Sequence, residues 1–476
     1  MKQVLQNMRD GKTQVGEVPV PSARRGTALV QTAASLVSAG TERMLVEFAE
    51  KSLVGKARSR PDLVRQVLDK ARREGIVPTI SAAFNKLDQP MALGYSSAGV
   101  IVALGEGLQG FRVGERVACA GGNFAVHAEY ASVPQNLLAH VPDEVDLESA
   151  AFTTLGAIAL HGFRLAGTQL GERVAVIGLG LLGLLAAQIA RAAGCQVFGV
   201  DVSAERVERA HKMGFSAAPR ADAEDAGRAF SQGAGFDAVL ICADTKSNDT
   251  VELAGVIARD RGTVISVGAV GLELPRKLYY EKELTFLVSR SYGPGRYDPE
   301  YEEGGRDYPL GYARWTEGRN LQAFVDLLAS GKVDARALIT HRFEIAEASK
   351  AYELITGKQG EPFLGVVLTY SSGHEVPRMG EKSAVSGQPS VVRFGTAPTR
   401  AENEPGLGVL GSGNYATAVF LPNVAAVGGA ARCGIASASG LSATHAAKRF
   451  GFSYATSSEQ QVMDDPQVNT LAILTR

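Results

Sequence analysis

Apolar and polar positions alternate with a period of two through most of the first 150 residues, in short runs broken by turn signals. The runs are KQVLQNM, the Asp10-Gly11 turn, TQVGEVPV, then TALVQTAAS, SAGVIVALG and ERVACAGG. Alternation puts successive side chains on opposite faces of a strand, so this stretch predicts a compact, mostly antiparallel, barrel-like unit. One segment departs from it. After Ser59 and Pro61, apolar residues at 63, 64, 67, 68 and 71 share one helical face, and Gly75 is placed to end that helix. Its other face carries Arg65, Lys70, Arg72 and Arg73, which read as a solvated basic surface or as an anion or partner site.

From about 150 to 290 the pattern changes to strand, helix, strand, helix. The runs VAVIG, QVFGVD, AVLICA and TVISVG are short and apolar and are separated by helical stretches, as in a parallel sheet covered on both faces. Between 320 and 370, NLQAFVDLLASG predicts an amphipathic helix and FLGVVLTY a closing strand that could return to the first unit. Residues 371 to 404 contain no Leu or Ile and are scattered with Ser, Gly, Pro and charges, which predicts a linker. Beyond it, LGVLGSGNYATAVFLPNV begins a second strand-turn-helix, followed by the strand-like runs ARCGIAS and NTLAILT.

Composition narrows the classes. A chain of 476 residues exceeds what one core sustains, so several units are expected. The formal net charge of −1 offers no electrostatic footprint for nucleic acid or an anionic membrane. The longest apolar stretch, Val174 to Ala187, falls short of the ~20 residues that span a bilayer. The polar N-terminus lacks the apolar core of a signal peptide, and cysteines 119, 195, 242 and 433 stand alone, so a reducing cytoplasm is the expected location.

Candidate chemistry begins at VAVIGLGLLG, where Gly178, Gly180 and Gly183 form G-x-G-x-x-G directly after a strand and at the start of a helix. The first glycine makes the turn, the second lets backbone approach a pyrophosphate, and the third allows close helix-strand packing over a helix N-terminus that favours anions. Leu181 belongs to the same loop, and Gly268 ends a later strand of the unit, TVISVG. Asp201 follows Gly183 by 18 residues, at the end of QVFGVD, where a carboxylate accepts the adenosine-ribose hydroxyls and repels a 2′-phosphate, so NAD(H) is expected rather than NADP. Arg206, farther on, would cover the adenosine or be a plain surface charge. A second loop, G-x-G-x-x-A at Gly411, Gly413 and Ala416, is followed by a strand ending in Ser437 without a carboxylate, which leaves its cofactor open and admits NADP or a purely structural role.

With both loops placed, residues 1–370 resemble the medium-chain dehydrogenase/reductase superfamily of zinc alcohol dehydrogenases and zinc-free quinone reductases. The resemblance rests on LGYSSAGVIVALGEGLQGFRVGERV, TTLGAIALHGF and the Asp201-bearing unit, which occur in the family's order. From Gly408 onward the chain resembles the N-terminal half of the glucose-fructose oxidoreductase and inositol dehydrogenase (Gfo/Idh/MocA) family. Together, and with SYGPGRYDPEYEEGGRDYPLGY, they resemble bacterial bi-domain oxidoreductases of surface-polysaccharide functions. The resemblance implies an α/β chain: a GroES-like β-barrel domain at 1–150 completed by 295–370, a Rossmann domain at 151–294, a linker at 371–404 and a partial second Rossmann domain at 405–476. The inositol dehydrogenases continue past this point into a catalytic Lys motif and a substrate domain, so the sequence reads as a fragment of a longer protein.

The departures from the zinc members are as informative. Ser38 stands where a cysteine ligand is expected, Gly94-Tyr95-Ser96 replaces Gly-His-Glu, and no Cys or Asp lies between Phe152 and Leu155. No zinc is expected, because hydroxyls are poor substitutes for thiolate and imidazole. Tyr95 and Ser38 become the catalytic candidates, with filling of a vacated site as the plainer reading. His161, on the apolar run ALHGF, reads as a structural histidine. Arg290 and Arg296 flank RSYGPGR, which reads as a hinge loop or as a fork for an acidic or nucleotide-linked sugar. The expected function is a zinc-independent NAD(H) oxidoreductase on a polar, sugar-like small molecule, working as a homo-oligomer. A quinone or enoyl reductase and a non-catalytic NAD-binding scaffold or sensor are the alternatives.

Overall fold

The computed structural model describes residues 1–59, 65, 87–371, 390–395 and 404–475. The helix expected beyond Ser59 lies outside the described residues except at Arg65. The N-terminal unit is built from β1 (Lys2–Gln6), β2 (Thr13–Glu17), β3 (Thr27–Val37), β4 (Met91–Ala92), β5 (Ser96–Leu104), β6 (Arg116–Ala120), β7 (Tyr130–Pro134) and β8 (Leu138–His140), with helix α1 (Thr41–Glu50) following β3. β3 is its axis. Eleven residues long and buried at nearly every position, it pairs antiparallel with β5 and β7. The crossing with β5 is tight: a Cβ on Gly99 would lie 2.0 Å from the Gln31 carbonyl oxygen, so only glycine lets the two backbones meet there.

Helix α2 (Thr153–Leu165) leads out of this unit into a six-stranded sheet made of β9 (Arg173–Ile177), β10 (Gln196–Asp201), β11 (Ser216–Pro219), β12 (Phe236–Ile241), β13 (Ala258–Ser266) and β14 (Thr285–Val288). Every pair is parallel and the order is β11-β10-β9-β12-β13-β14, the doubly wound dinucleotide-binding arrangement. Two helices matter for the site, α3 (Leu181–Ala192) after β9 and α4 (Ala204–Lys212) after β10. The chain then runs through α5 (Glu317–Ala329) and returns to the first unit as β15 (Ile339–Glu344) and β16 (Gly365–Thr369), with α6 (Ala348–Ile355) between them. β16 pairs antiparallel with β3, and β15 lies parallel on its outer edge. One buried apolar cluster runs from Val30 and Leu36 through Phe152 and Leu155 on or beside α2 to Val176 and Leu184, so the two units share a core.

The chain expected to be a linker between 371 and 404 differs from that reading at one place. Val391–Arg393 forms β17, antiparallel to β20 (Tyr454–Thr456) at the edge of a third sheet, because Val391 and Val392 gain ladder bonds and packing there. That sheet also contains β18 (Gly406–Leu410), β19 (Ala431–Ala436) and β21 (Thr470–Ile473), in the order β17-β20-β19-β18-β21, with all pairs but the first parallel. It buries its own cluster around Val409, Ile435, Ala446 and Phe452. It also touches the first unit, where the Ser457 hydroxyl donates to the Val20 carbonyl and Gly440 packs on Pro19. No helix among the described residues is long and apolar enough to cross a membrane.

Candidate functional site

The glycine-rich loop after β9 is dictated by three glycines with three different constraints. Gly178 sits at φ +97° directly after β9, and its N–H donates to the Val200 carbonyl at 2.7 Å. Gly183, inside α3, would carry a Cβ only 1.8 Å from the Gly178 carbonyl oxygen, so α3 can lie this close to β9 only with glycine there. Gly180 has nothing within 4 Å of its Cβ position and caps α3 without a side-chain bond. The open face and the free N–H groups at Leu181 and beyond together suit a diphosphate. The Asp201 carboxylate, at the end of β10, accepts the Leu179 N–H at 2.7 Å and the Ser203 N–H at 2.8 Å, with Arg206 Nη1 at 3.5 Å. Each carboxylate oxygen keeps a lone pair for a ribose hydroxyl. Gly268 is held by packing: a Cβ there would lie 2.0 Å from the Ala243 carbonyl oxygen.

About the first unit's centre, the two catalytic candidates meet. The Tyr95 hydroxyl donates to Ser38 Oγ at 2.6 Å. Gly94, at φ +96°, brings Tyr95 in by a turn so close to the His127 backbone that a Cβ would lie 2.6 Å from its nitrogen. Burial raises the Tyr95 phenol above its ordinary pKa, opposed by hydrogen bonds from Ser38 and Thr41 and assisted by the Glu42 charge. Behind the pair lies a buried polar chain. Glu42, 1% exposed, accepts the Ser38 N–H at 2.9 Å, contacts His127 Nε2 at 3.1 Å, and receives the Tyr352 hydroxyl. His127 Nδ1 meets Ser35 Oγ at 2.7 Å, and Ser35 Oγ meets the Tyr370 hydroxyl at 2.6 Å.

Two family models match this part of the chain. Residues 69–143 match the alcohol dehydrogenase GroES-like domain and residues 182–303 the zinc-binding dehydrogenase family. Sorbitol dehydrogenase 1 of Saccharomyces cerevisiae is 28% identical over 313 residues, covering 58% of this chain and 81% of the relative. The D-xylulose reductase of Scheffersomyces stipitis is 26% identical over 322 residues, covering 58% and 82%. The solved alcohol dehydrogenase TADH of Thermus sp. ATN1 superposes with a TM-score of 0.58 at 21% identity, covering 78% of this chain and all of that one. Galactitol-1-phosphate dehydrogenase of Escherichia coli gives 0.58 at 20%, again covering 78% of this chain and all of that one. These matches make the chain an oxidoreductase similar to the alcohol-dehydrogenase-like medium-chain family.

The other predicted site residues lie as follows. His161 is on α2, nine-tenths buried, beside Gly293, and burial and the neighbouring Arg164 lower its pKa. The loop from Arg290 does not present a free arginine fork. Arg296 is already paired with the Glu302 carboxylate and stacks at 4.1 Å on the Tyr297 ring, while Arg290 lies over the same ring at 4.8 Å. An acidic sugar held by Arg296 would have to displace Glu302, so the arrangement favours the hinge-loop alternative. In the second loop Gly411 turns at φ +101° and Gly413 faces open space, as in the first loop. Ser412, Ser442 and Ser437 join their hydroxyls at 2.8 and 2.9 Å where the first loop has Asp201. Sequence spacing found the glycines but missed Glu42, His127, Tyr352 and Tyr370, which come together from four distant segments. The one local trace was Glu42 four residues after Ser38 at the start of α1.

Proposed function

We propose that residues 1–370 form a zinc-independent NAD(H) oxidoreductase for a polyol or related sugar-like alcohol or carbonyl. The observation that carries this reading is the 2.6 Å bond between Tyr95 and Ser38, at the two positions where zinc members have ligands. Zinc takes thiolate, imidazole or carboxylate in a tetrahedron, and two hydroxyls bonded to each other do not fit that set. Among the described residues no three His, Cys, Asp or Glu side chains converge. The reading therefore rests on the donor chemistry and routes no step through a metal.

The first loop fits a dinucleotide: its open Gly180 face and uncapped α3 take the diphosphate, and Asp201 takes the ribose, favouring NAD over NADP. A nicotinamide bound there supplies or accepts the hydride. Tyr95, kept protonated by its buried setting, turns its hydroxyl from Ser38 to the substrate oxygen as negative charge develops, and the Ser38 hydroxyl then donates to the phenol oxygen and fixes it in place. Glu42 holds the Ser38 backbone, and His127 and Tyr352 hold Glu42. The relatives named for sorbitol and D-xylulose direct the substrate class toward polyols. Residues 405–476 we read as the first half of an inositol-dehydrogenase-type nucleotide fold, supported by the strand order of the third sheet and by Gly411.

Initial rates with D-sorbitol, xylitol and D-xylulose, each with NAD(H) and NADP(H), and with a quinone and NADPH, test the proposal. Polyol turnover that prefers NAD(H) supports it. Turnover confined to the quinone with NADPH, or none with any pair, overturns it.

A further inference from the structure

We propose that the loop from Tyr292 to Glu302 and the start of α5 form a subsite that takes the hydroxyl groups of a neutral polyol or sugar beside Tyr95. The inference rests on the polyol reading above and adds which residues select the substrate. Five buried polar atoms in this region have no hydrogen-bond partner: the Tyr292 hydroxyl, Arg296 Nε, both Glu317 carboxyl oxygens and Asn320 Oδ1. Tyr292 is 2% exposed, and Glu317 and Asn320 are fully buried. Buried polar groups in folded proteins are almost always paired, and five orphans in one place call for a partner that the chain itself does not supply. Tyr292 belongs to the buried cluster against which Tyr95 packs, Arg296 lies 5.4 Å over its ring, and the Glu317 N–H donates to the Pro294 carbonyl of the same loop at 2.8 Å. The orphans and the proposed reacting group thus share one neighbourhood.

The kinds of atom decide the ligand. Asn320 Oδ1 accepts, Arg296 Nε donates, and the Tyr292 hydroxyl does both. Burial, reinforced by Glu302 and opposed by Arg296, pushes the Glu317 carboxyl up to about 9, so at neutral pH it is an acid that both donates and accepts. Arg296 is neutralised by Glu302. The set therefore mixes donors and acceptors without net charge, which matches hydroxyls, each of which donates and accepts, and offers little to a phosphate or a carboxylate. Asn320 is fixed for this role because its Nδ2 donates to the Tyr292 carbonyl at 2.9 Å, which leaves its oxygen free. The loop holds an unusual backbone: Ser291, Gly293, Gly295 and Tyr297 all have positive φ, at 52°, 117°, 106° and 68°. Left-handed non-glycine residues gather where structure serves function rather than stability.

The test uses the full chain with Tyr292→Phe and Glu317→Gln, D-sorbitol and xylitol as neutral probes, and D-sorbitol 6-phosphate as the anionic one. Calorimetric titration into NADH-loaded protein reads binding, initial rates read KM, and melting reads the fold. The subsite predicts that each variant weakens neutral-polyol binding by roughly tenfold, the loss of one hydrogen bond to a polar substrate group, while NADH affinity is kept and the melting temperature holds or rises. Variants that move only the melting temperature show that the orphan atoms hold internal water, and the subsite is wrong. Tighter binding of the phosphate than of the neutral probes also overturns it, as does no binding of any probe to the unmutated protein. If the unmutated protein binds a neutral polyol without turning it over, and the variants lose that binding, the subsite stands and the catalytic reading alone fails.

Discussion

At the residue scale, the proposed chemistry rests on Tyr95, Ser38 and Asp201. Tyr95→Phe keeps the ring and removes the hydroxyl that donates to Ser38, so kcat should fall by about 10²-fold, the usual contribution of a positioned proton donor, with NADH affinity unchanged. A kcat within about threefold of the unmutated enzyme would make Tyr95 only a filler of the vacated site. Asp201→Ala should narrow the preference for NADH over NADPH by about 1–3 kcal/mol, the worth of a charged hydrogen bond. Fluorescence titration with both cofactors checks it, and equal affinities in the unmutated protein would show that Asp201 serves only to accept the Leu179 and Ser203 N–H groups. Glu317 carries a pH signature of its own. Its folded-state pKa of about 9 lies above the ordinary 4.5, so its contribution to stability is fully present below pH 4.5 and is lost as pH rises toward 9. Glu317→Gln should therefore flatten that part of the pH dependence and raise the urea midpoint at pH 8. A midpoint that falls at pH 8 would mean the carboxyl is ionised and paired in the folded protein.

At the element scale, what could be read from sequence was what lies close together in it. The glycine loop and its strand-helix setting, the alternating runs of the first unit and the closing strand at Gly365 were all visible as local periodicity, because each element's buried face repeats every two or every three to four residues. β17 was not visible. Three residues, Val391–Arg393, in a stretch of Ser, Gly, Pro and charge give no period, and only pairing with β20 makes them a strand. The polar chain from Ser38 to Tyr370 was hidden for the same reason: Ser35 and Tyr370 are 335 positions apart, and no spacing rule connects them. β14 raises an expectation of its own. It is the open edge of the parallel sheet, with Leu287 38% and Val288 60% exposed, and an exposed apolar edge is a template for pairing with a second chain. Val288→Lys should reduce the mass measured by light scattering from an oligomer to a monomer. An unchanged mass would move the contact elsewhere.

At the scale of the whole molecule, the first two units form one body and the third is a neighbour. β15 and β16 return to β3, and α2 carries one apolar cluster from the first sheet to the second, so the glycine loop and the Tyr95–Ser38 pair are built on a common core. The third sheet buries a separate cluster and touches the rest near Pro19 and Val20. Residues 1–371 should accordingly remain soluble and bind NADH as tightly as the 476-residue chain. A shortened protein that loses the cofactor would show that the third unit completes the first. The central claim is that a hydroxyl pair, and not zinc, handles the substrate oxygen on an NAD(H) scaffold. It is tested most directly by the metal content of the purified protein, read together with NAD(H)-dependent polyol turnover in chelator. The account predicts substoichiometric zinc and an unchanged rate; one zinc per chain with activity lost to the chelator would contradict it.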